Sequence, residues 1–252
     1  MIRSGNEDNF AAEADAQHGL FIVADGMGGH AAGEVASEMA VMIVRRELSG
    51  LRDLETNGVE RRVTDALKTA NHAIHERTLI EVDKQGMGTT ASVLVISGTR
   101  YLIGQVGDSR VYLLRDGALT QLTKDHSYVQ EQVDAGFLTP EQARYHPYSN
   151  VITRCVGASP DVEPDIYRGE VKLGDVFLVA SDGLTGMVDD RRLQTLLISR
   201  ATPDRKVHAL ISEANGRGGL DNITAIVVEV ADVDSSRSGT PTGPMATQPR
   251  TT

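Results

Sequence analysis

The chain has 252 residues, a net charge of -10, 40% apolar and 24% charged residues. These are ordinary values for a soluble globular protein, and the length is enough to bury a large core without disulfides or a structural metal. The acidic balance argues against non-specific nucleic-acid binding, which needs clustered positive charge. One cysteine, Cys155, excludes an intrachain disulfide and fits a reducing, cytoplasmic setting. No apolar run approaches the roughly 20 residues of a membrane span. The polar start, Met-Ile-Arg-Ser-Gly-Asn-Glu-Asp, predicts no signal peptide. The seven histidines form no HExxH or Cys/His cluster, which argues against a zinc enzyme.

In chain order, short Val/Ile-rich runs predict strands at Leu20–Ala24, Ala91–Ile96, Tyr101–Val106, Val111–Leu114, Val176–Ala180 and Ile223–Val230. Asp116-Gly117 lies between Val111–Leu114 and Ala118–Leu122, and predicts a hairpin turn. Apolar residues at three- and four-residue spacing predict helices through Ala32–Ile43, Val63–Ile74 and Val207–Ala214. Thr139-Pro140-Glu141-Gln142 predicts a further helix start, with a Thr cap, Pro at the first position and Gln at the third. The organisation is antiparallel α+β, because strict βαβ alternation is absent. We expect one domain over residues 1–232, and a disordered tail over 233–252, where SSRSGTPTGPMATQPRTT closes the chain without hydrophobic period.

The aspartates fall at the ends of these runs. Leu20–Ala24 leads into Asp25-Gly26, Val176–Ser181 into Asp182-Gly183, and Tyr101–Val106 through Gly107 into Asp108. Asp221 precedes the last run, and Glu7-Asp8 lies near the start. Carboxylates gathered at one rim repel and need protons or cations between them. All-oxygen ligands suit hard cations such as Mg²⁺ or Mn²⁺, and a pair of these suits phosphate-ester hydrolysis. Taken singly, each Asp-Gly reads better as a turn after a strand.

Asn6-Glu7-Asp8, Asp25-Gly26-Met27-Gly28-Gly29-His30, Gly88-Thr89-Thr90, Gly107-Asp108-Ser109-Arg110, Ser181-Asp182-Gly183 and Asp221-Asn222-Ile223-Thr224 occur in order. With Thr123–Ser127 and Asn150–Arg154, this series resembles the bacterial members of the metal-dependent Ser/Thr protein phosphatases of type 2C (the PPM family), over residues 2 to 230. The resemblance implies a four-layer α/β/β/α sandwich, with two central antiparallel sheets flanked by helix pairs and a dinuclear Mn²⁺ or Mg²⁺ centre at one rim. It implies that Asp25 bridges both ions, that the Gly26 carbonyl binds one, and that Asp182 and Asp221 bind the other. Glu7 and Asp8 would hold metal-bound waters or ligate directly, and Asp108 would take a third, weaker ion. Arg3 holds the position of the family's phosphate-binding arginine, its planar fork suited to phosphate oxygens, with a mobile terminal side chain as the rival reading.

The implied reaction is hydrolysis of phosphoserine and phosphothreonine by a metal-activated water, without a phosphoenzyme. Arg3, Asp25 and Asp182 would be catalytic. The Asp125–Asn150 segment would form a flap over the substrate. His126, just before it, is placed with Arg3 in the substrate-binding set, with a structural hydrogen bond as its alternative. Two departures stand out. The strand that usually precedes Arg-x-x-Asn-Glu-Asp is nearly absent, and Met27 stands where some members carry a proposed general-acid histidine. The expected partners are phosphorylated proteins, including a Ser/Thr kinase, and the expected state is a monomer. Competing readings are a non-catalytic binding module, against which Asp25, Asp182 and Asp221 are all retained, and a phosphatase for small esters.

Overall fold

The alternation of apolar side chains along the central strands determines how the layers stack. In a strand, successive side chains point to opposite faces. Along β2 (His18–Met27), Leu20, Ile22 and Ala24 pack with the first helix pair, whereas Phe21 and Val23 enter the space between two sheets. Both faces are therefore buried, which is why this stretch reads as a continuous apolar run. The computed structural model describes residues 5–28 and 31–232. Arg3, His30 and the 233–252 tail lie outside the described residues.

The first sheet joins β1 (Asp8–Ala14), β2, β4 (Ala91–Ser97), β5 (Arg100–Val106) and β8 (Asp165–Glu170) in the order β1-β2-β4-β5-β8, with the short β3 (Gly88–Thr89) against β2. The second has the order β10-β9-β6-β7, from β6 (Arg110–Arg115), β7 (Ala118–Gln121), β9 (Val176–Ala180) and β10 (Ala225–Glu229). All pairings between these strands are antiparallel. α1 (Ala31–Leu48) and α2 (Val59–Ile80) cover the outer face of the first sheet, through Ala36, Val44, Val63 and Leu67 against Ile22 and Val93. α6 (Asp190–Leu197) and α7 (Pro203–Gly216) cover the second, through Leu193 and Leu210 against Leu178 and Val227. Phe21, Leu94 and Ile103 meet Val111, Phe177 and Val179 between the sheets. Each fully buried side chain of this size contributes about 1.5–3 kcal/mol. The four-layer sandwich implied by the resemblance is the observed architecture.

The local expectations meet the structure unevenly. Val176–Ala180 is β9 without adjustment, and Asp116 and Gly117 take φ of 51° and 80° between β6 and β7. Thr139 forms the expected capping box with Gln142 and starts α4 (Pro140–Arg144). The last strand is shorter than expected, beginning at Ala225 and not at Ile223. Several elements were not expected, among them α6, α3 (Tyr128–Asp134) and the strands β1 and β8. Both strands lie at a sheet edge, and their sequences, DNFAAEA and DIYRGE, lack the Val/Ile run that burial on two faces demands.

Candidate metal centre

Antiparallel pairing brings distant acids to one rim. β1 begins where β2 ends, and the register sets Asp8 directly opposite Asp25. Directly opposed residues of a pair share a face, and like charges there repel. In the second sheet, β9 ends beside the start of β10, which places Asp182 and Asp221 together at that end. Asp182 opens the short helix α5 (Asp182–Thr185). Asp108 occupies the turn between β5 and β6.

Short polar side chains tie the two sheets together at this rim. One Asp8 oxygen accepts from Ser181 Oγ at 2.9 Å and from Thr224 Oγ1 at 2.7 Å, so a first-sheet carboxylate holds both second-sheet strand ends. Glu7 N–H donates to Asn222 Oδ1 at 3.0 Å, and the Glu7 carbonyl accepts from Gly26 N–H at 3.1 Å. Asp25 N–H donates to Thr90 Oγ1 at 2.9 Å, while the Thr90 hydroxyl meets Ser109 Oγ at 2.7 Å. The roles of Ser181, Thr224 and Asn222 were not foreseen. The available signal was their place beside Asp182 and Asp221 in the motifs.

The approach of Asp182 to Asp221 depends on a glycine. A Cβ at Gly183 would lie 1.8 Å from the Asn222 carbonyl oxygen, so the backbones touch where the two acids emerge. Gly183→Ala must therefore push α5 from the 221–222 loop. We expect about 1–3 kcal/mol of destabilisation and weakened Mn²⁺ binding, read by melting temperature and by titration of the metal-free protein. Wild-type values in both would show that this contact does not set the spacing.

The electrostatics show what the cluster lacks. Burial raises the Asp25 carboxyl well above the ordinary carboxylate range, and the charges of Asp8 and Asp182 raise it further. Burial likewise raises Asp8, against hydrogen bonds from Thr224 and Ser181 that lower it. Asp108 is raised well up by burial and then by Asp182, with Arg110 opposing. Asp8 Oδ1 and Asp108 Oδ1 are buried and have no hydrogen-bond partner. Buried oxygens in this state call for a proton, a water or a cation. Among the described residues no group of three or more acids, histidines or cysteines is placed to hold an ion by protein side chains alone. Hard cations that retain waters need only one or two carboxylates with carbonyl and water oxygens, so the donor set fits Mg²⁺ or Mn²⁺.

The other candidates are placed as follows. Asp182, Asp221 and Asp108 line a cleft of about 680 Å³, whose far wall comes from α3 and α4 through Val129, Val133 and Arg144. This is the segment expected to form the flap. Arg110 also lines it, held by Asp125 at 2.7–3.0 Å and by Tyr112 Oη at 2.9 Å. His126 is 6% exposed and is not among the cleft-lining residues. Its ring accepts from Gly107 N–H at 3.1 Å, the structural hydrogen bond named as its alternative role. Cys155 is half-buried, and burial pushes its thiol up, as expected for an inert residue.

Comparison with known proteins agrees with this geometry. Residues 3–213 match the sequence model of the family described as protein phosphatase 2C. The chain is 41% identical over 237 residues to the serine/threonine protein phosphatase PstP of Mycobacterium tuberculosis, covering 93% of this chain but only 44% of PstP. It thus spans less than half the length of that relative. Similarity to the serine/threonine phosphatase stp of Listeria monocytogenes is 39% identity, covering 90% of this chain and 91% of stp. The solved catalytic domain of PstP, in complex with two manganese ions, superposes with a TM-score of 0.80 at 38% identity, covering 92% of this chain and 94% of that one. With this match over most of its length, and with strand-end acids meeting at one rim of a four-layer sandwich, the chain belongs to the protein phosphatase 2C family.

Proposed function

We propose that the protein hydrolyses phosphoserine and phosphothreonine in phosphorylated proteins, using two divalent cations, Mn²⁺ or Mg²⁺, at the rim. The observation that carries this reading is the mutual approach of Asp8, Asp25, Asp108 and Asp182, of which Asp108 and Asp182 line the cleft, with buried Asp8 and Asp108 oxygens left for a ligand. Family membership and the two manganese ions named for the PstP catalytic domain support it. When bound, such cations polarise the phosphoryl oxygens and lower the pKa of an attacking water.

The chain's own residues do the rest. Asp25, the Gly26 carbonyl, Asp182 and Asp221 would hold the two ions, with Asp25 proposed as the ligand they share. Glu7 and Asp8 orient water, Asp8 being held in place by Ser181 and Thr224. Asp108 is the position for a third, weaker ion, and Arg3 holds the phosphate. The Met27 thioether has no proton to give, so the leaving oxygen takes its proton from water or another acid. The proteins dephosphorylated include a Ser/Thr kinase or its targets.

The test is hydrolysis of p-nitrophenyl phosphate and of a phosphothreonine peptide after chelation and after Mn²⁺ is restored. EDTA should abolish both activities and Mn²⁺ should return them. Full activity in excess EDTA, with no metal found by elemental analysis, would remove the metal-dependent reading. Turnover of small metabolite phosphates without turnover of the phosphopeptide would remove the protein-phosphatase reading.

A further inference from the structure

We infer that His126 is a positioning residue that fixes the Gly107 peptide, and through it the direction of Asp108; the role in turnover rests on the phosphatase reading above. Gly107 has φ of 101°, and a Cβ there would lie 2.6 Å from Thr90 Cβ and Cγ2. The chain therefore turns hard against Thr90 immediately before Asp108. His126 grips this peptide on both sides: Gly107 N–H donates to His126 Nδ1 at 3.1 Å, and His126 N–H donates to the Gly107 carbonyl at 2.9 Å. Gln105 Nε2 donates to the same carbonyl at 3.0 Å.

The contacts favour one tautomer: Nδ1 faces a donor alone, whereas Nε2 faces the Asp165 acceptor as well as the Arg154 donor. A backbone N–H can only donate, so Nδ1 must present its lone pair, and the neutral ring carries its proton on Nε2. Nε2 faces Asp165 Oδ2 at 3.3 Å, an acceptor on β8. Arg154 NH1 lies 3.0 Å from Nε2 and donates to Asp165 Oδ1 at 2.9 Å and to the Glu163 carbonyl at 2.8 Å. The Asp165 carboxylate thus stands between two donors and orders both.

The same residue anchors both ends of the flap. His126 is the second residue of the segment, at its entry, and the His126 carbonyl accepts from Thr153 N–H, just past its exit, at 2.9 Å. Flap ends and the Asp108 corner therefore share one buried joint. Of these links, only the Gly107 N–H bond to Nδ1 belongs to the ring, so a side-chain substitution releases the Asp108 corner and leaves the main-chain joints in place.

The proposal distinguishes the two ring nitrogens, so paired variants test it. In His126→Asn the amide oxygen reaches the Nδ1 position and can still accept from Gly107. In His126→Gln it reaches the Nε2 position and cannot. With Mn²⁺ and a phosphothreonine peptide, His126→Gln should lose between about ten- and a hundredfold in kcat at nearly constant KM, as expected for a misplaced site group. His126→Asn should stay close to wild type. Independently, NMR of the metal-free wild-type protein should show the Nε2–H tautomer and a scalar coupling across the Gly107 N–H···Nδ1 bond. Equal loss in both variants, a change in KM alone, or the Nδ1–H tautomer would overturn the inference. A wild-type protein inactive on phosphopeptides with Mn²⁺ would instead overturn the phosphatase reading, and the tautomer and coupling would still decide the position of His126.

Discussion

Asp25→Asn is expected to remove Mn²⁺-dependent hydrolysis while making the metal-free protein more stable. Asp25 faces Asp8 in register, and the Asp182 and Asp108 charges add to the repulsion. Burial and the neighbouring like charges disfavour the ionised form of this carboxyl, and an amide of the same shape removes the conflict. The relief should be about 1–3 kcal/mol, or a few degrees in melting temperature at roughly 2–4 °C per kcal/mol for a domain of this size. The same substitution removes the proposed bridging ligand, so turnover should fall at least about a hundredfold, on the scale seen when a preorganised electrostatic group is lost. Differential scanning fluorimetry in EDTA and steady-state kinetics in Mn²⁺ check the two arms. Near-wild-type turnover would show that Asp25 is not the bridging residue. A lower melting temperature in EDTA would show that the cluster is not strained.

The pH dependence of the metal-free protein should carry the same signature. Asp8, Asp25 and Asp108 all have folded-state pKa values above their ordinary value of 3.8. Between that value and the raised ones, the native state binds more protons than the unfolded state. Stability contributed by these groups is therefore fully present below about pH 4 and is lost as pH rises through the folded values, each unit of difference being worth about 1.4 kcal/mol. Asp134 and Glu213, held low by Lys124 and Arg192, act in the opposite sense, and their contribution is lost only as pH falls below the ordinary range. The two windows are thus separate. Urea midpoints in EDTA should fall from pH 4 toward pH 8 more steeply in wild type than in Asp108→Asn, and Mn²⁺ should remove that difference. Parallel profiles for the two proteins would show that Asp108 does not titrate out of range.

The sandwich was legible wherever a strand is covered on both sides. Leu20–Ala24 and Val176–Ala180 must satisfy a helix layer on one face and a second sheet on the other, so nearly every position is apolar. β1 and β8 escaped notice for the converse reason. Each lies at a sheet edge, and Phe10 on β1 remains 62% exposed, so no two-sided burial shaped their composition. α3 is seven residues long with one buried side chain, Val129, too little to leave a period. The acids at strand ends were legible as candidates because a carboxylate after an apolar run is conspicuous.

The sequence by itself determined the inventory: which strands are buried, where the chain turns, and which carboxylates stand at strand ends. The tertiary structure decided which of them meet. Asp8 reaches Ser181 and Thr224 across 173 and 216 residues, a contact no local pattern encodes. It exists because the register of β1 on β2 is tied to side-chain alternation, since a slip of β1 by one residue would turn Asp8 to the other face of the sheet and take Ala11 off the helix-side core. His126 shows the same division. Its place in the sequence left a substrate contact and a structural hydrogen bond both open; the fold buries the ring, and a buried imidazole must satisfy both nitrogens internally. Gly107 and Asp165, brought together by the pairing of β5 with β8, supply those partners.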